Sequence, residues 1–388
     1  MNRRTFLSTS LATLAAGAAI PRALADGAFQ KADGMAYAPR GKPNPVVGPG
    51  EFVFAAVHLD HGHINGMTNG LLEAGATLRW VYDPDPAKVS AFQRAYPQAK
   101  AARSLDEVLG DPDVRLVACA AISNLRGPIG CRVMEAGRDY FSDKPPFTTL
   151  EQLAEARATA ARTGRKFMVY YAERLHNEAA MAATDLVADG AVGRVIQVVN
   201  LAPHRLNRAG RPAWFFNRAE YGGILCDLGS HQFEQFLAYS GAKDATVARS
   251  SVGNFANLDK PELEDFGDAC LVGDNGAVNY VRVDWFTPAG LGAFGDGRTF
   301  ILGTTGTIEL RKYVDLARDP VGDHVYIADQ RGERHLAVSG KVGYRFFGEL
   351  ILDCLHRTEH AMTQAHAFKA AEVALRAQAQ AVRLSPLA

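Results

Sequence analysis

The chain carries no surplus of either charge: 42 lysines and arginines face 42 aspartates and glutamates, a formal net charge of +0. Without a basic field, nothing draws it to nucleic acid or to an anionic membrane surface. Cysteine is scarce. The five (Cys119, Cys131, Cys226, Cys270, Cys354) are odd in number and show no C-x-x-C spacing, so they read as mostly buried thiols, with one disulfide left open. There is no internal repeat and no low-complexity block. What is present is ordinary for a soluble globular protein, 47% apolar and 22% charged residues, and 388 residues suffice for two domains with separate cores.

The most telling absence is local. Phe52 to Val57 reads as a β-strand, a helix pattern covers Met67 to Glu73, and a second strand ends at Asp83. That is the first βαβ unit of a dinucleotide fold, in which G-x-G-x-x-G lets the backbone approach a pyrophosphate. Here the loop is His58-Leu59-Asp60-His61-Gly62-His63, with a single glycine off register. A carboxylate at Asp60 repels phosphate and the β-carbons at 58 and 60 narrow the approach. Imidazoles at His61 and His63 offset this by donating to phosphate oxygens. Asp60, His61 and His63 are also metal-ligand types, although no motif of known metal spacing is present. No metal is therefore assigned, and the loop is expected to cap the following helix and meet cofactor or substrate. Asp83, at the tip of strand two, has two readings. It accepts a ribose diol, favouring NAD over NADP, or it makes the turn that D-P-D-P chemistry favours.

At the amino end, Arg3-Arg4-Thr5-Phe6-Leu7 precedes a short apolar run and Ala23-Leu24-Ala25. This is the pattern of a cleavable twin-arginine signal over residues 1–25, too short to count as a spanning helix. It predicts an exported, periplasmic protein without stable membrane insertion after cleavage. Residues 26–48 read as a Gly/Pro/Ala-rich arm.

From 49 to 172, strands and helices alternate, as in a doubly wound parallel sheet. Helices are expected at Ala87–Tyr96, Ser104–Leu109, Arg126–Ala136 and Leu150–Thr163, with strands at Val114–Ala121, Asp139–Ser142 and Lys166–Tyr171. From 173 to 388 the texture changes. After a helix at Asn177–Asp189, strands at Val192–Val199, Thr246–Gly253, Asp268–Val272, Ala277–Phe286, Thr299–Gly303 and Thr307–Leu310 predict an α+β domain with a large, mostly antiparallel open sheet. A helical tail begins at Phe347 and packs back on the first domain.

Three places carry a resemblance over roughly residues 50–385: Tyr82-Asp83-Pro84-Asp85-Pro86; Gly137 to Pro145, ending Ser142-Asp143-Lys144-Pro145; and Gly222-Gly223-Ile224-Leu225-Cys226-Asp227-Leu228-Gly229-Ser230-His231-Gln232-Phe233-Glu234. The chain resembles the glucose-fructose oxidoreductase, inositol dehydrogenase and rhizopine-catabolism (Gfo/Idh/MocA) family, whose E-K-P and G-G-x-x-x-D-x-G-x-H-x-x-D signatures it matches. Asp replaces Glu at 143 and Glu replaces Asp at 234. The resemblance implies a doubly wound Rossmann domain followed by the open-sheet domain, hydride chemistry on a sugar, polyol or glycoside, a tightly held NAD, and a homo-oligomer, dimer or tetramer. It implies catalytic roles for Lys144, Asp227 and His231. Asp227 and His231 are four apart and share a face on a helical turn. Imidazole takes the hydroxyl proton as hydride leaves, and the lysine holds the developing alkoxide.

The cofactor-binding set expected on this basis is His58, Asp60, His61, Gly62, His63, Asp83, Ser123, Arg126 and Lys144. Arg126 stands where the family's T-P-N-x-x-H segment has its histidine, and is free in the sequence to hold a phosphate or a substrate carboxylate. Tyr171, Glu173, Arg174, His204 and Trp214 are the substrate-side candidates, Tyr171 and Glu173 by strand alternation. The loop from Trp285 to Arg298 reads as a substrate-side or interface element. Two other readings stay open: a glycoside hydrolase or lyase of the same fold using trapped NAD transiently or a metal at Asp60, His61 and His63, and a non-catalytic sugar-binding protein.

Overall fold

The computed structural model describes residues 45–385. The expected signal, residues 1–25, and most of the arm after it lie outside the described residues. The first sheet is built from β1 (Val53–Val57), β2 (Thr77–Tyr82), β3 (Lys100–Ala101), β4 (Val114–Cys119), β5 (Asp139–Ser142) and β6 (Phe167–Val169), in the order β3-β2-β1-β4-β5-β6. Every pairing in it is parallel. Between these strands run α1 (His63–Glu73), α2 (Pro86–Ala95), α3 (Leu105–Gly110), α4 (Ser123–Glu135) and α5 (Leu150–Thr163). The central strands are mostly apolar and buried, as a sheet covered on both faces requires; β1, Val-Phe-Ala-Ala-Val, is fully buried. Asp85, Ser104 and Thr149 cap the helices that follow them through their side-chain oxygens. Gly164 closes α5 in the left-handed conformation, φ 64°.

The chain continues through α6 (Ala172–Leu175), α7 (Glu178–Ala188), β7 (Val195–Pro203), α8 (Arg218–Tyr221), α9 (Ile224–Asp227) and α10 (Gly229–Ser240). Then follow β8 (Ala245–Gly253), β9 (Phe266–Gly273), β10 (Val278–Asp284), β11 (Arg298–Gly303), β12 (Thr307–Arg311), β13 (His324–Asp329) and β14 (Gly332–Ala337). The chain ends with α11 (Arg345–His356), α12 (Gln364–Ala379) and β15 (Val382–Leu384). The second sheet has nine strands in the order β14-β13-β12-β11-β7-β10-β9-β8-β15. It is antiparallel except where β10 meets β7 and β15 meets β8, which is the mostly antiparallel architecture expected.

Several boundaries differ from the sequence reading. Helix α1 starts at His63 rather than Met67, because the carbonyls of His61 and Gly62 accept from Ile64 N and Asn65 N and make a first turn out of polar residues. Helix α4 likewise starts at Ser123. The helical tail is two helices, broken at Arg357, whose φ is 59°. Strands β13, β14 and β15 fall where no strand was expected.

One continuous core runs through both sheets. The tail helix seals it: Phe368 packs 6.1 Å from Phe147 and 5.6 Å from Phe167, ring centre to ring centre. Arg157 and Glu372 (2.5 Å) pin α12 to α5. Among the described residues, which include all five cysteines, no disulfide forms, and no helix is long and apolar enough to cross a membrane.

Candidate active site

In the first sheet the strand order reverses between β1 and β4, and the crevice outside their carboxyl ends is where open α/β sheets bind ligands. The loop after β1 lies flat on its neighbours instead of arching. His58, at φ 51°, donates its N–H to Tyr82 O (2.8 Å) and accepts from Ala120 N (3.1 Å). Leu59 N donates to Asp83 Oδ2 (2.6 Å), and His61 N to Ala120 O (3.0 Å). Burial outweighs the nearby carboxylates of Asp83 and Asp60 and lowers the pKa of His58.

Asp83 is thereby committed to the turn reading. Its other oxygen accepts from Asp85 N (2.8 Å), which removes the ground for choosing NAD over NADP from this residue. Asp60 faces away from the two histidines that follow it. It pairs with Lys88 Nζ (2.5 Å) and accepts from Ile122 N (3.3 Å), so the trio of Asp60, His61 and His63 does not assemble.

Its place is taken by Asp143, the acid of the D-K-P motif at the end of β5. His63 Nδ1 lies 2.8 Å from Asp143 Oδ1, and His61 Nδ1 lies 2.8 Å from Oδ2. Arg126 is fully enclosed behind this cluster. Its guanidinium reaches Asp143 Oδ2 (3.0 Å), Ala121 O (2.7 Å), Pro145 O (3.1 Å) and, in a very short contact, Lys144 O. Its donors are spent on bracing the D-K-P segment, which is why it is not open to a phosphate or a substrate carboxylate. Burial pushes the Asp143 carboxyl up, but Arg126 and the imidazoles beside it prevail and hold it well below the usual carboxylate range. Ser123 is buried at the first turn of α4.

Across the crevice, Lys144 Nζ donates to Asp227 Oδ1 (2.8 Å) and to the Asp227 carbonyl (2.9 Å). Burial raises the Asp227 pKa, yet the ammonium of Lys144 outweighs it and sets the carboxyl below its ordinary value. Asp227 closes α9 and His231 lies in the first turn of α10; Leu228, itself in helical conformation (φ −89°, ψ −48°), joins them. The i, i+4 relation therefore holds across a joint, and both side chains face one cleft. Burial drives His231 down to about 3, so it is a neutral imidazole at physiological pH, and its Nδ1 has no hydrogen-bond partner.

The cleft encloses about 760 Å³ counted to its mouth and brings together His61, His63, Lys144, Asp227 and His231. Of the substrate-side candidates, Glu173 and His204 line it. Glu173 accepts from Lys312 Nζ (2.7 Å) and Gln232 Nε2 (2.8 Å), and His204 Nε2 stands 3.6 Å from it. Tyr171 does not line it. Strand β6 stops at Val169, the alternation ends there, and Tyr171 is buried with its hydroxyl on Ala367 O (3.1 Å). Tyr170 takes the lining position. Arg174 is buried in a bidentate pair with Glu234 (2.8 and 2.9 Å), so the family's last signature acid has turned to structural work. Trp214 lies outside the cleft, while Phe215 lines it with Trp285 and Arg211. Arg211 stacks on both rings, at 4.3 and 5.0 Å. The sequence reading missed Tyr170, Arg211 and Tyr313, which line the cleft, and Lys312, which supports Glu173 from behind. Nothing in the local pattern of Arg211, Lys312 or Tyr313 marks them, because only the fold brings them to this place.

This is the two-sheet architecture of a Rossmann-type oxidoreductase. Residues 46–171 match the family model described as the NAD-binding Rossmann fold of the GFO/IDH/MocA oxidoreductases, and residues 180–309 match the GFO/IDH/MocA C-terminal domain. The chain belongs to the Gfo/Idh/MocA oxidoreductase family. It is similar to a presumed oxidoreductase from Erwinia carotovora atroseptica, at 46% identity with a TM-score of 0.84, over 86% of this chain and 100% of that one. The aldose-aldose oxidoreductase of Caulobacter crescentus shares the fold, at 20% identity and TM-score 0.68 over 85% and 98% of the two chains. Among curated proteins, scyllo-inositol 2-dehydrogenase (NAD(+)) of Bacillus subtilis is 26% identical over 60% of this chain and 66% of its own length. For D-xylose dehydrogenase of Paenarthrobacter nicotinovorans, at 25% identity, the match spans 37% of this chain and only 38% of the relative.

Proposed function

We propose that the protein moves hydride between a nicotinamide cofactor and a hydroxyl-bearing carbon of a sugar, polyol or glycoside. The observation that carries this reading is the Lys144–Asp227 pair facing the same buried cleft as the neutral His231. A cleft that only binds sugar has no need of a buried lysine, its counter-ion and a neutral base together.

The residues present fit a dinucleotide, though not through a glycine cradle. Asn124 Oδ1, at the start of α4, is buried without a hydrogen-bond partner, and the N–H groups of Gly62 and His63, which open α1, have no acceptor inside the helix. These groups, with Lys88 in the first turn of α2, would hold it; when bound, it supplies the hydride acceptor. His231 takes the substrate hydroxyl proton. Lys144 donates to the oxygen as its charge grows, and Asp227 keeps the ammonium aimed.

Export by the signal over residues 1–25 remains part of this reading, as does the division near residue 172. In a periplasmic setting free NAD is scarce, so the cofactor is expected to stay bound and be recycled by a second substrate. Face-to-face pairing of the open sheet is supported by Ile196, Val272 and Leu302, which stand exposed on β7, β9 and β11.

The test is to denature the purified mature protein and assay the released nucleotide by mass spectrometry. About one NAD(H) or NADP(H) per chain supports the reading and licenses a screen of sugars and polyols. No nucleotide, and no uptake of added NAD or NADP, would overturn it.

A further inference from the structure

Five of the eleven histidines line the cleft, and the hydride reading uses one of them. His61 and His63 need a separate account. Their rings stand edge to face, 4.2 Å apart, each with its Nδ1 at 2.8 Å from a different oxygen of the Asp143 carboxylate. One ligand-type atom from each of the three residues falls within a 4.8 Å span.

The contacts inside the cluster are unequal. His63 Nδ1 has a well-directed hydrogen bond to Asp143 Oδ1. His61 Nδ1 is equally close to Asp143 Oδ2 but without directed hydrogen-bond geometry, and that oxygen already meets Arg126 at 3.0 Å. A buried imidazole nitrogen left so is costly, at about 1–3 kcal/mol. A cation coordinated by His61 Nδ1 removes the penalty. Donors bound tetrahedrally at about 2.0–2.1 Å stand about 3.3 Å apart, and the three ligand-type atoms lie within 4.8 Å of one another.

We propose that His61, His63 and Asp143 bind one divalent first-row transition-metal ion in a two-histidine, one-carboxylate site. The open coordination positions face the cleft. Two imidazoles and one carboxylate suit zinc, iron(II) or manganese and are poor in oxygen for calcium or magnesium. The outer support is present: the Lys144 amide donates to Asp143 Oδ1 (2.7 Å), and Arg126 holds Oδ2 (3.0 Å), the oxygen that His61 also faces. The charges facing the site are Arg126, bound to Asp143, and Lys144, bound to Asp227. With one net carboxylate charge so shared, the site is completed by an anionic oxygen, a hydroxide or a substrate alkoxide. The proposal goes beyond the hydride reading and does not depend on it.

The experiment uses the full mature chain, stripped with EDTA and titrated with Co2+, whose visible absorption reports an ordered ligand field, and with Zn2+ by calorimetry. About one ion per chain is expected. His61→Gln and His63→Gln should each weaken Co2+ binding by at least about 100-fold, with the fold checked by circular dichroism. Asp60→Asn, which faces Lys88, should leave the titration unchanged. Uptake no greater than that of the His61→Gln/His63→Gln double variant, or a loss caused equally by Asp60→Asn, overturns the site. Bound nucleotide without metal would sink this proposal and keep the hydride reading; metal without nucleotide would do the reverse.

Discussion

Lys144 Nζ reaches both the side chain and the backbone carbonyl of Asp227, at 2.8 and 2.9 Å. Lys144 follows the last residues of a parallel strand in the first sheet, and Asp227 ends a single helical turn that packs on the second. One ammonium thus fixes the register between the two layers at the point where substrate is expected to react. The pair is nearly enclosed, so its charge is neither screened by solvent nor free to wander.

That arrangement predicts energetic coupling. Lys144→Met and Asp227→Asn should each cost about 3–5 kcal/mol, since each leaves a buried partner behind. The double variant should lose less than their sum, by about 0.5–3 kcal/mol. Urea unfolding of the four proteins measures it, and additivity would show that the pair does not join the layers. In turnover, Lys144→Met should lose about 10²- to 10⁴-fold in kcat.

The parallel strands and the helices at Ser104–Leu109 and Leu150–Thr163 were legible in the sequence because each is decided within a few residues. So were Lys144, Asp227 and His231, which sit in long signatures. What escaped was set by distant packing. Arg126 follows a strand end, where its sequence context suggests a ligand contact; only the fold brings the D-K-P carbonyls and Asp143 against it. Asp60 and His61 are adjacent in sequence, yet consecutive loop residues point opposite ways, one to Lys88 and one to Asp143. Tyr171 was misplaced because strand alternation was carried two residues past the end of the strand.

The new role of Arg126 has a distinct signature. Arg126→Met should destabilise the protein by about 3–5 kcal/mol, because Asp143 loses its buried counter-charge and several carbonyls lose their donor. Arg126→Lys should recover only part of this, since an ammonium cannot reproduce the planar fork. A variant of normal stability with only weakened cofactor binding would return Arg126 to phosphate recognition.

The aromatic wall offers a split between two neighbours. Phe215→Ala should raise KM for the sugar found by screening by up to about tenfold, the value of one aromatic contact. Trp214→Ala, outside the cleft, should leave KM within about twofold. Equal effects from both would mean that the wall moves as a unit and that the cleft boundary drawn between them is wrong.

Acid should weaken the fold before the paired carboxylates titrate. Burial drives both His176 and His231 down to about 3, while in the unfolded chain each titrates near about 6.5. Between those values the unfolded chain binds protons that the native protein refuses. Stability must therefore fall as pH drops below about 6.5, by about 1.4 kcal/mol per pH unit for each histidine once the unfolded side chain is fully protonated. The window from about pH 6 to 5 isolates this effect, because the paired acids begin to contribute only lower down. Glu234, for example, is raised by burial but held down to about 2 by Arg174 and His366. His176 packs edge-on against Tyr344 and Phe347, at 4.7 and 4.9 Å, and its Nδ1 meets the Tyr170 hydroxyl (2.5 Å), so phenylalanine keeps the packing and loses that hydrogen bond, which lowers stability without adding a pH dependence. Urea unfolding of His176→Phe across this window should show a slope shallower by one histidine's share. An unchanged slope would mean that His176 takes up its proton in the native state and that the pocket around Tyr170 admits water.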